Sequence, residues 1–88
     1  MSEEQAVMGF SKALNFCKQG YGITRVGWNG KDLMVRAQYP DGNSKMNLPY
    51  LYLQYPESHS MYPNARCPWS PSQTDIMAED WVVVGANC

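Results

Sequence analysis

The stretch "PWSPSQTDIMAEDW", Pro68 to Trp81, holds two tryptophans, two prolines, three carboxylates and three hydroxyl side chains within fourteen positions. Ser72 stands three residues before Asp75, which is the spacing of a capping box with Asp in place of the usual Glu. This spacing predicts a short helix from about Gln73 to Glu79. The run "WVVVG" that follows has no polar alternation, and it predicts a strand buried on both faces, either in mid-sheet or at a subunit contact.

A second helix is predicted near the N-terminus. In "EEQAVMGFSKALNFCKQG" the apolar residues recur at spacings of three and four, which predicts an amphipathic helix with its core at residues 10–19. Gly20 supplies a C-terminal stop. The start of the helix stays open, because Gly9 could break it and Ser11 could cap a shorter one.

Several strands are predicted between the two helices. The first runs from Ile23 to Val26 into a turn at Asn29 and Gly30. Two more lie in residues 32–55, on either side of a turn at residues 40–42. In "PYLYLQY" the side chains alternate, so that two tyrosines face one side and two leucines and a third tyrosine face the other: Tyr50 and Tyr52 against Leu51, Leu53 and Tyr55.

Residues 56–68 contain three prolines and show no periodicity. They predict a long loop, with room for one brief strand, of the kind that serves function or an interface. The whole chain, residues 1–88, is therefore predicted to be one α+β domain with an N-terminal helix, a small twisted, mainly antiparallel sheet and a second short helix. Because a chain of this length buries only about 60–65% of its unfolded surface, and 44% of its residues are hydrophobic, we expect a homo-oligomer.

Charge and cysteine content limit the classes of function and of site that fit this chain. The net charge is −1 and the seven Lys and Arg are scattered, so there is no basic stripe for long nucleic acid, although one or two Arg could hold a small anion. Cys17, Cys67 and Cys88 are widely spaced without CxxC pairing, which favours a reducing cytoplasm over a zinc site or a disulfide framework. No apolar run approaches the ~20 residues of a membrane span. The acidic start is unlike a signal peptide, so we expect a soluble protein that is not exported.

Catalytic patterns are weak in this chain. Asp75 and Glu79 lie four apart, which suits the solvated flank of a helix better than an acid and base pair. His59 lies in a Pro-flanked loop without a nucleophile-elbow motif, so a surface histidine is favoured over a general base. No GxGxxG or GxxxxGK[ST] motif supports a dinucleotide fold or an NTPase.

Binding is better supported than catalysis. Trp28 and Trp69 stand at the ends of predicted elements, where flat rings can stack nucleobases. Three polar neighbours could then recognise hydroxyl groups or base edges, namely Asn29, Thr74 and Asp75. Arg25 could pair with a phosphate. The alternative is that both tryptophans pack in the core or at an interface.

Four motifs, "FSKALNFCKQG", "TRVGWNGK", "LPYL" and "PWSPSQTDIMAEDWVVV", together span most of residues 10–84. They resemble a family of small phage proteins known as Thoeris anti-defence protein 2. The family pattern has a Phe-led helix ending in Lys-x-Gly, an Arg-x-x-Trp-Asn-Gly turn and a Trp-x-x-Ser-Gln-Thr-Asp-x-x-Ala-x-Asp-Trp ending. This chain keeps all three and departs from the family in the Tyr- and Pro-rich residues 54–66 and at its N-terminus.

The resemblance implies a non-enzymatic sponge without cofactor or metal. Such a protein is a homo-oligomer, a tetramer, that sequesters a cyclic ADP-ribose isomer made by a bacterial TIR-domain protein in the cytoplasm of the infected host. Relatives are also implied to bind cyclic oligonucleotide signals at a separate site. The implied ligand-binding residues are Arg25, Trp28, Asn29, Trp69, Ser72, Thr74 and Asp75. Two other classes stay open: a hydrolase that cleaves the signal with Asp75 or His59, and a phage structural or protein-interaction module anchored by the tryptophans.

Overall fold

The fold is known from a computed structural model that describes residues 6–28, 33–59 and 61–84. Within these residues two helices and five strands form an α+β domain, which confirms the predicted fold class. The predicted turn at Asn29 and Gly30 lies outside the described residues.

The first helix, α1 (Phe10–Lys18), ends in a Schellman motif. The N–H of Tyr21 donates to the carbonyl of Phe16 at 3.2 Å, and the N–H of Gly20 donates to that of Cys17 at 3.1 Å. Gly20 adopts φ 109°, the left-handed region that the predicted C-terminal stop requires. The helix begins directly after Gly9, which serves as N-cap without a side-chain bond. The alternative of a shorter helix capped at Ser11 is therefore wrong.

The five strands form one antiparallel sheet in the order β4-β3-β2-β1-β5. Their bounds are β1 (Ile23–Arg25), β2 (Met34–Gln38), β3 (Tyr50–Gln54), β4 (Arg66–Pro68) and β5 (Trp81–Val83). Strand β1 stops one residue before the predicted Val26 because Val26–Trp28 form a 3-10 turn. Strand β4 is the brief strand that the sequence allowed within the predicted loop at residues 56–68. The turn between β2 and β3 is built on Asp41, whose Oδ1 accepts the N–H of Asn43 at 2.9 Å.

Helix α1 covers one face of the sheet and completes the hydrophobic core. The fully buried members of the core are Ala13, Cys17, Ile23, Val35 and Trp81. Leu51 and Leu53 pack against this core from β3, so their side of the strand was predicted correctly. Tyr50 and Tyr52 consequently face the opposite side of the sheet.

Strand β5 is buried on both faces, although it lies at one end of the sheet order. Trp81 is 0% exposed and Val82 is 2% exposed, and consecutive strand residues face opposite sides. The predicted mid-sheet position is wrong, because β5 is the last strand in the order and β1 is its neighbouring strand among the described residues. Its other edge is covered by Met8, which pairs with Trp81 through two backbone bonds of 2.9 and 3.0 Å. The alternative of a subunit contact stays a prediction.

The second helix, α2 (Gln73–Met77), carries the predicted capping box at Ser72 and Asp75. It ends two residues before the predicted Glu79 because Ala78 is extended, with φ −69° and ψ 149°. This extended residue redirects the chain from α2 into β5. Neither helix of the described residues has the length and apolarity needed to cross a membrane.

Gly20→Ala tests the left-handed turn that ends α1. A Cβ at φ 109° is strained, so we expect the free energy of unfolding to fall by about 1–2 kcal/mol. Urea unfolding followed by circular dichroism measures it. Gly42→Ala is the matched control, since Gly42 does not have positive φ and a Cβ there meets nothing within 4 Å. Equal losses in both variants would contradict this account of Gly20.

Candidate functional site

Four aromatic rings meet where α1, the 3-10 turn and β5 converge. Trp81 is fully buried, and its ring centroid lies 5.2 Å from Phe10, 5.4 Å from Trp28 and 6.1 Å from Trp69. Trp28 and Trp69 are half-buried and stand edge to face, with centroids 6.4 Å apart and planes at 79°. Such edge-to-face contacts are favourable beyond the area they bury. The two tryptophans therefore form adjacent walls at the border of the core.

Asp75 closes the N-terminus of α2 and also pairs with Arg25. Its Oδ2 accepts the N–H of Ser72 at 3.2 Å and lies 3.0 Å from the Ser72 hydroxyl, while its backbone N–H donates to that hydroxyl at 3.1 Å. Its Oδ1 accepts Nη1 of Arg25 at 3.0 Å. The side chains of Arg25 and Asp75 are only 18% and 15% exposed, so this ion pair is shielded more than a surface pair.

Asp80 holds the same guanidinium from a second side. Oδ1 of Asp80 accepts Nε of Arg25 at 2.9 Å, and Oδ2 accepts the N–H of Gly27 at 2.8 Å. Arg25 thus joins β1 to the chain on either side of the Ala78 bend, and Asp80 fixes the start of the 3-10 turn that carries Trp28. The three side chains together carry a net charge of −1 at neutral pH.

These bonds shift the pKa of each partner. Burial alone would raise the pKa of the Asp75 carboxyl, but the hydrogen bonds from Arg25 and Ser72 outweigh it and hold that pKa below its usual value. The hydrogen bond from Arg25 is the main reason why the pKa of Asp80 is also lowered. The same bonds raise the pKa of the Arg25 guanidinium. Both carboxyl groups are therefore ionised at neutral pH.

The aromatic cluster and the carboxylates are tied together by one hydrogen bond. Nε1 of Trp81 donates to the backbone carbonyl of Asp75 at 2.9 Å. Since Trp81 also touches Trp28 and Trp69, the chain of contacts runs without interruption from the tryptophan walls to Arg25.

Contacts link five of the seven predicted ligand-binding residues, directly or through Trp81, namely Arg25, Trp28, Trp69, Ser72 and Asp75. Thr74 lies exposed in the first turn of α2, next to Asp75. Asn29 lies outside the described residues. Whether these residues bind a ligand stays a prediction, and both proposed uses of the tryptophans, packing and ligand contact, are compatible with their half-buried state.

Two sets of residues do not stand out in the sequence. In the sequence Asp80 is one of three carboxylates in the stretch Pro68 to Trp81. Nothing local distinguishes it from the other two or relates it to Arg25, fifty-five residues earlier. Arg36 and Arg66 read as scattered charges, but the structure places both beside Tyr52 on the face of the sheet opposite α1. The alternation of "MVRAQ" with "YLYLQ" was the available signal for Arg36.

His59 belongs to a separate aromatic cluster in the loop after β3. Its ring centroid lies 4.8 Å from that of Tyr55 and 5.8 Å from that of Tyr62. Nδ1 accepts the backbone N–H groups of Met61 and Tyr62 at 3.2 and 2.9 Å. His59 therefore organises its own loop through Nδ1.

The chain that carries this capped helix, partly buried guanidinium and half-buried tryptophans matches a class of phage anti-defence proteins. Residues 8–84 match the family model described as "Thoeris anti-defense 2-like domain". The chain is also 34% identical over 84 residues to "Thoeris anti-defense 2" of Bacillus phage SP01, with 88% of this chain and 94% of that protein covered. The chain therefore belongs to the Thoeris anti-defense 2-like family, as the motifs predicted. The family gives it a phage anti-defence role in the infected host.

The lowered carboxyl pKa values predict an acid-sensitive fold. A carboxyl whose pKa is lower in the folded than in the unfolded state contributes stability that is complete above its unfolded pKa, about 4. This stability is lost as the pH falls through the folded pKa. The loss in free energy of unfolding that Asp75→Asn or Asp80→Asn causes should therefore be larger at pH 7 than at pH 3. Urea unfolding at both pH values measures this, with exposed Glu57→Gln as control, and a gap independent of pH would contradict it.

Gly27→Ala tests the contact between Asp80 and the 3-10 turn. A Cβ at Gly27 would lie 2.9 Å from Oδ2 of Asp80 and 3.3 Å from Nη2 of Arg25. The carboxylate would have to move, so we expect a loss of about 1 kcal/mol in the free energy of unfolding. In an Asp80→Ala background the same change should cost less, because the clashing atom is gone. Additive losses in the double variant would rule out this contact as the cause.

Proposed function

We propose that the protein acts as a sponge that captures a cyclic ADP-ribose isomer, the signal made by a TIR-domain protein, and holds it without degrading it in the cytoplasm of the infected bacterium. Family membership supports the anti-defence role. The sequestering mechanism is the proposal. The observation that carries it is the pair of half-buried tryptophan walls, which the buried Trp81 braces.

Rigid aromatic walls suit tight capture. Trp28 and Trp69 are braced by Trp81, and Trp81 is bonded to the backbone of Asp75, so little side-chain entropy is lost when a flat base packs against them. In this proposal Thr74, exposed in the first turn of α2, offers a hydroxyl group to the ribose. A sponge must hold its signal below the threshold of the effector, which calls for nanomolar affinity, on the order of −12 kcal/mol.

The charges of this region are the reason why we propose a pocket shared between subunits. Arg25 uses Nε and Nη1 for its two carboxylates, which leaves Nη2 to meet a phosphate. Because the group of Arg25, Asp75 and Asp80 is net negative, one guanidinium does not balance a ligand with two phosphates. A neighbouring protomer supplies the remaining positive groups in this proposal, in keeping with a homo-oligomer, a tetramer, whose pockets lie between subunits.

Capture is favoured over cleavage by the state of Asp75. Its carboxylate already accepts bonds from Arg25 and Ser72, and its lowered pKa makes it a weak general base. A hydrolase using Asp75 would have to dismantle the cap of α2. No observation on the described residues favours the protein-interaction alternative over capture.

Mass spectrometry of captured ligand tests the proposal. Purified protein is incubated with a TIR-generated cyclic ADP-ribose isomer, freed of unbound ligand and denatured by heat. We expect intact ligand at a fixed ratio to protein. Trp69→Ala should raise the Kd about tenfold or more, because a stacked base is worth about 1–3 kcal/mol, so that less ligand is retained at protein concentrations near the wild-type Kd. Tyr62→Ala, an exposed aromatic of the distant loop, should retain the wild-type amount.

Two outcomes would overturn the proposal. Ligand that is altered beyond one turnover per protein would identify an enzyme. Retention that is unaffected by Trp69→Ala and by the isosteric Thr74→Val would move the site elsewhere. The mass of the protein in solution tests the shared pocket separately, since a monomer that binds the ligand would exclude it.

A further inference from the structure

Asp80 accepts hydrogen bonds from the first two N–H groups of the 3-10 turn that carries Trp28. Its backbone carbonyl accepts the N–H of Val26 at 3.0 Å, and its Oδ2 accepts the N–H of Gly27 at 2.8 Å. The first N–H groups of a helical turn have no acceptor within the turn itself. A residue fifty-three positions after Gly27 therefore caps this turn.

The side chain of Asp80 fits closely against the turn. A Cβ built on Gly27 would lie 2.9 Å from Oδ2 of Asp80, which is closer than a Cβ approaches another atom in real structures. The other oxygen is occupied as well, because Oδ1 accepts Nε of Arg25 at 2.9 Å. Asp80 is thus held by β1 through one oxygen and holds the turn through the other.

This double role requires a carboxylate at residue 80. An ionised Asp carries two acceptor oxygens, whereas an Asn side chain offers one carbonyl oxygen and an NH₂ group that only donates. The hydrogen bond from Arg25 lowers the pKa of Asp80, so that both oxygens are acceptors at neutral pH. After Asp80→Asn, either Nε of Arg25 or the N–H of Gly27 would face another donor.

The residue that follows Asp80 supports the ring of Trp28. The ring centroids of Trp81 and Trp28 lie 5.4 Å apart with planes at 77°, and Trp81 is fully buried at the start of β5. Asp80 and Trp81 therefore act on the same tryptophan, the first through the backbone of its turn and the second through its ring. The turn is only three residues long, so the residue that Asp80 holds, Gly27, directly precedes Trp28.

We propose that Asp80 is a positioning residue for ligand capture: through the N–H of Gly27 it holds Trp28 in the orientation in which the two tryptophan walls receive the ligand. This inference rests on the proposed capture of a cyclic ADP-ribose isomer. Asp80 acts through Trp28 and not by touching the ligand, because both of its side-chain oxygens are already bonded within the protein. A wall that is fixed before the ligand arrives loses less entropy on binding, so the contribution of Asp80 is to affinity.

Asp80→Ala tests the proposal, because it removes both side-chain bonds and keeps the backbone carbonyl. We expect the Kd of the cyclic ADP-ribose isomer to rise about three- to tenfold, a part of what the loss of a stacked ring costs. In NMR spectra of the free protein the indole N–H signal of Trp28, assigned with Trp28→Phe, should shift. Val35→Ala is the control for stability alone, since it removes fully buried volume from β2, and it should leave the Kd and the Trp28 signal unchanged.

A second variant displaces the same carboxylate from the opposite side. Gly27→Ala keeps Asp80 but places a Cβ 2.9 Å from its Oδ2, so the hydrogen bond to the turn is disturbed while the charge of Asp80 is retained. It should also raise the Kd and shift the indole signal of Trp28. This variant decides the question if Asp80→Ala does not fold.

A double-variant cycle identifies the route from Asp80 to the ligand. If Asp80 acts through Trp28, Asp80→Ala should raise the Kd much less in a Trp28→Ala background than in the wild-type protein. The inference is overturned if Asp80→Ala leaves the Kd or the Trp28 signal unchanged, if it raises the Kd by the same factor in both backgrounds, or if Val35→Ala weakens binding as much.

Failure of this inference and failure of the proposed function give different results. If the wild-type protein captures the ligand and Trp69→Ala weakens capture, the proposed function stands even where Asp80→Ala has no effect. If the wild-type protein captures no ligand, the proposed function and the role of Asp80 are overturned together.

Discussion

The guanidinium of Arg25 lies between two carboxylates from the far end of the chain, Asp75 at 3.0 Å and Asp80 at 2.9 Å. Each carboxylate also holds a second group, since Asp75 caps α2 and Asp80 binds the N–H of Gly27. One side chain therefore fixes a helix, a 3-10 turn and the approach to β5. Its low exposure matters, because a guanidinium deprived of either partner would be left shielded from water with unsatisfied donors.

This constraint explains why Trp28 and Trp69 pack against the core and still keep part of their surface exposed. Trp81 is buried completely, and its Nε1 is satisfied by the carbonyl of Asp75. Trp28 and Trp69 lean on Trp81 from two directions and keep part of their surface at the border of the core. Packing in the core and contact with a ligand are therefore compatible uses of the same rings. The two predicted roles of Trp28 and Trp69 do not exclude each other.

The sheet divides the chemistry of the protein between its two faces. On the side covered by α1, a net negative cluster adjoins the aromatic walls. On the opposite side, the groove around Tyr52 has arginines and amides but no carboxylate among its described residues. The two faces of the sheet are therefore electrostatically unlike.

Sequence alone determined the features that arise from near neighbours, and only the tertiary structure decided what depends on distant partners. The 3.6-residue spacing predicted α1, the Ser72 to Asp75 spacing predicted the cap of α2, and the alternation of "YLYLQ" put the leucines and Tyr50 and Tyr52 on opposite sides of their strand, because each depends on contacts within a few residues. Three features depend on residues that local spacing does not relate. They are the position of β5 at the end of the sheet, the pairing of Asp80 with Arg25, and the presence of Arg36 and Arg66 in one groove. The physical reason is that antiparallel register brings together side chains remote in the chain, and the charge that each side chain feels is then set by those neighbours and not by the sequence around it.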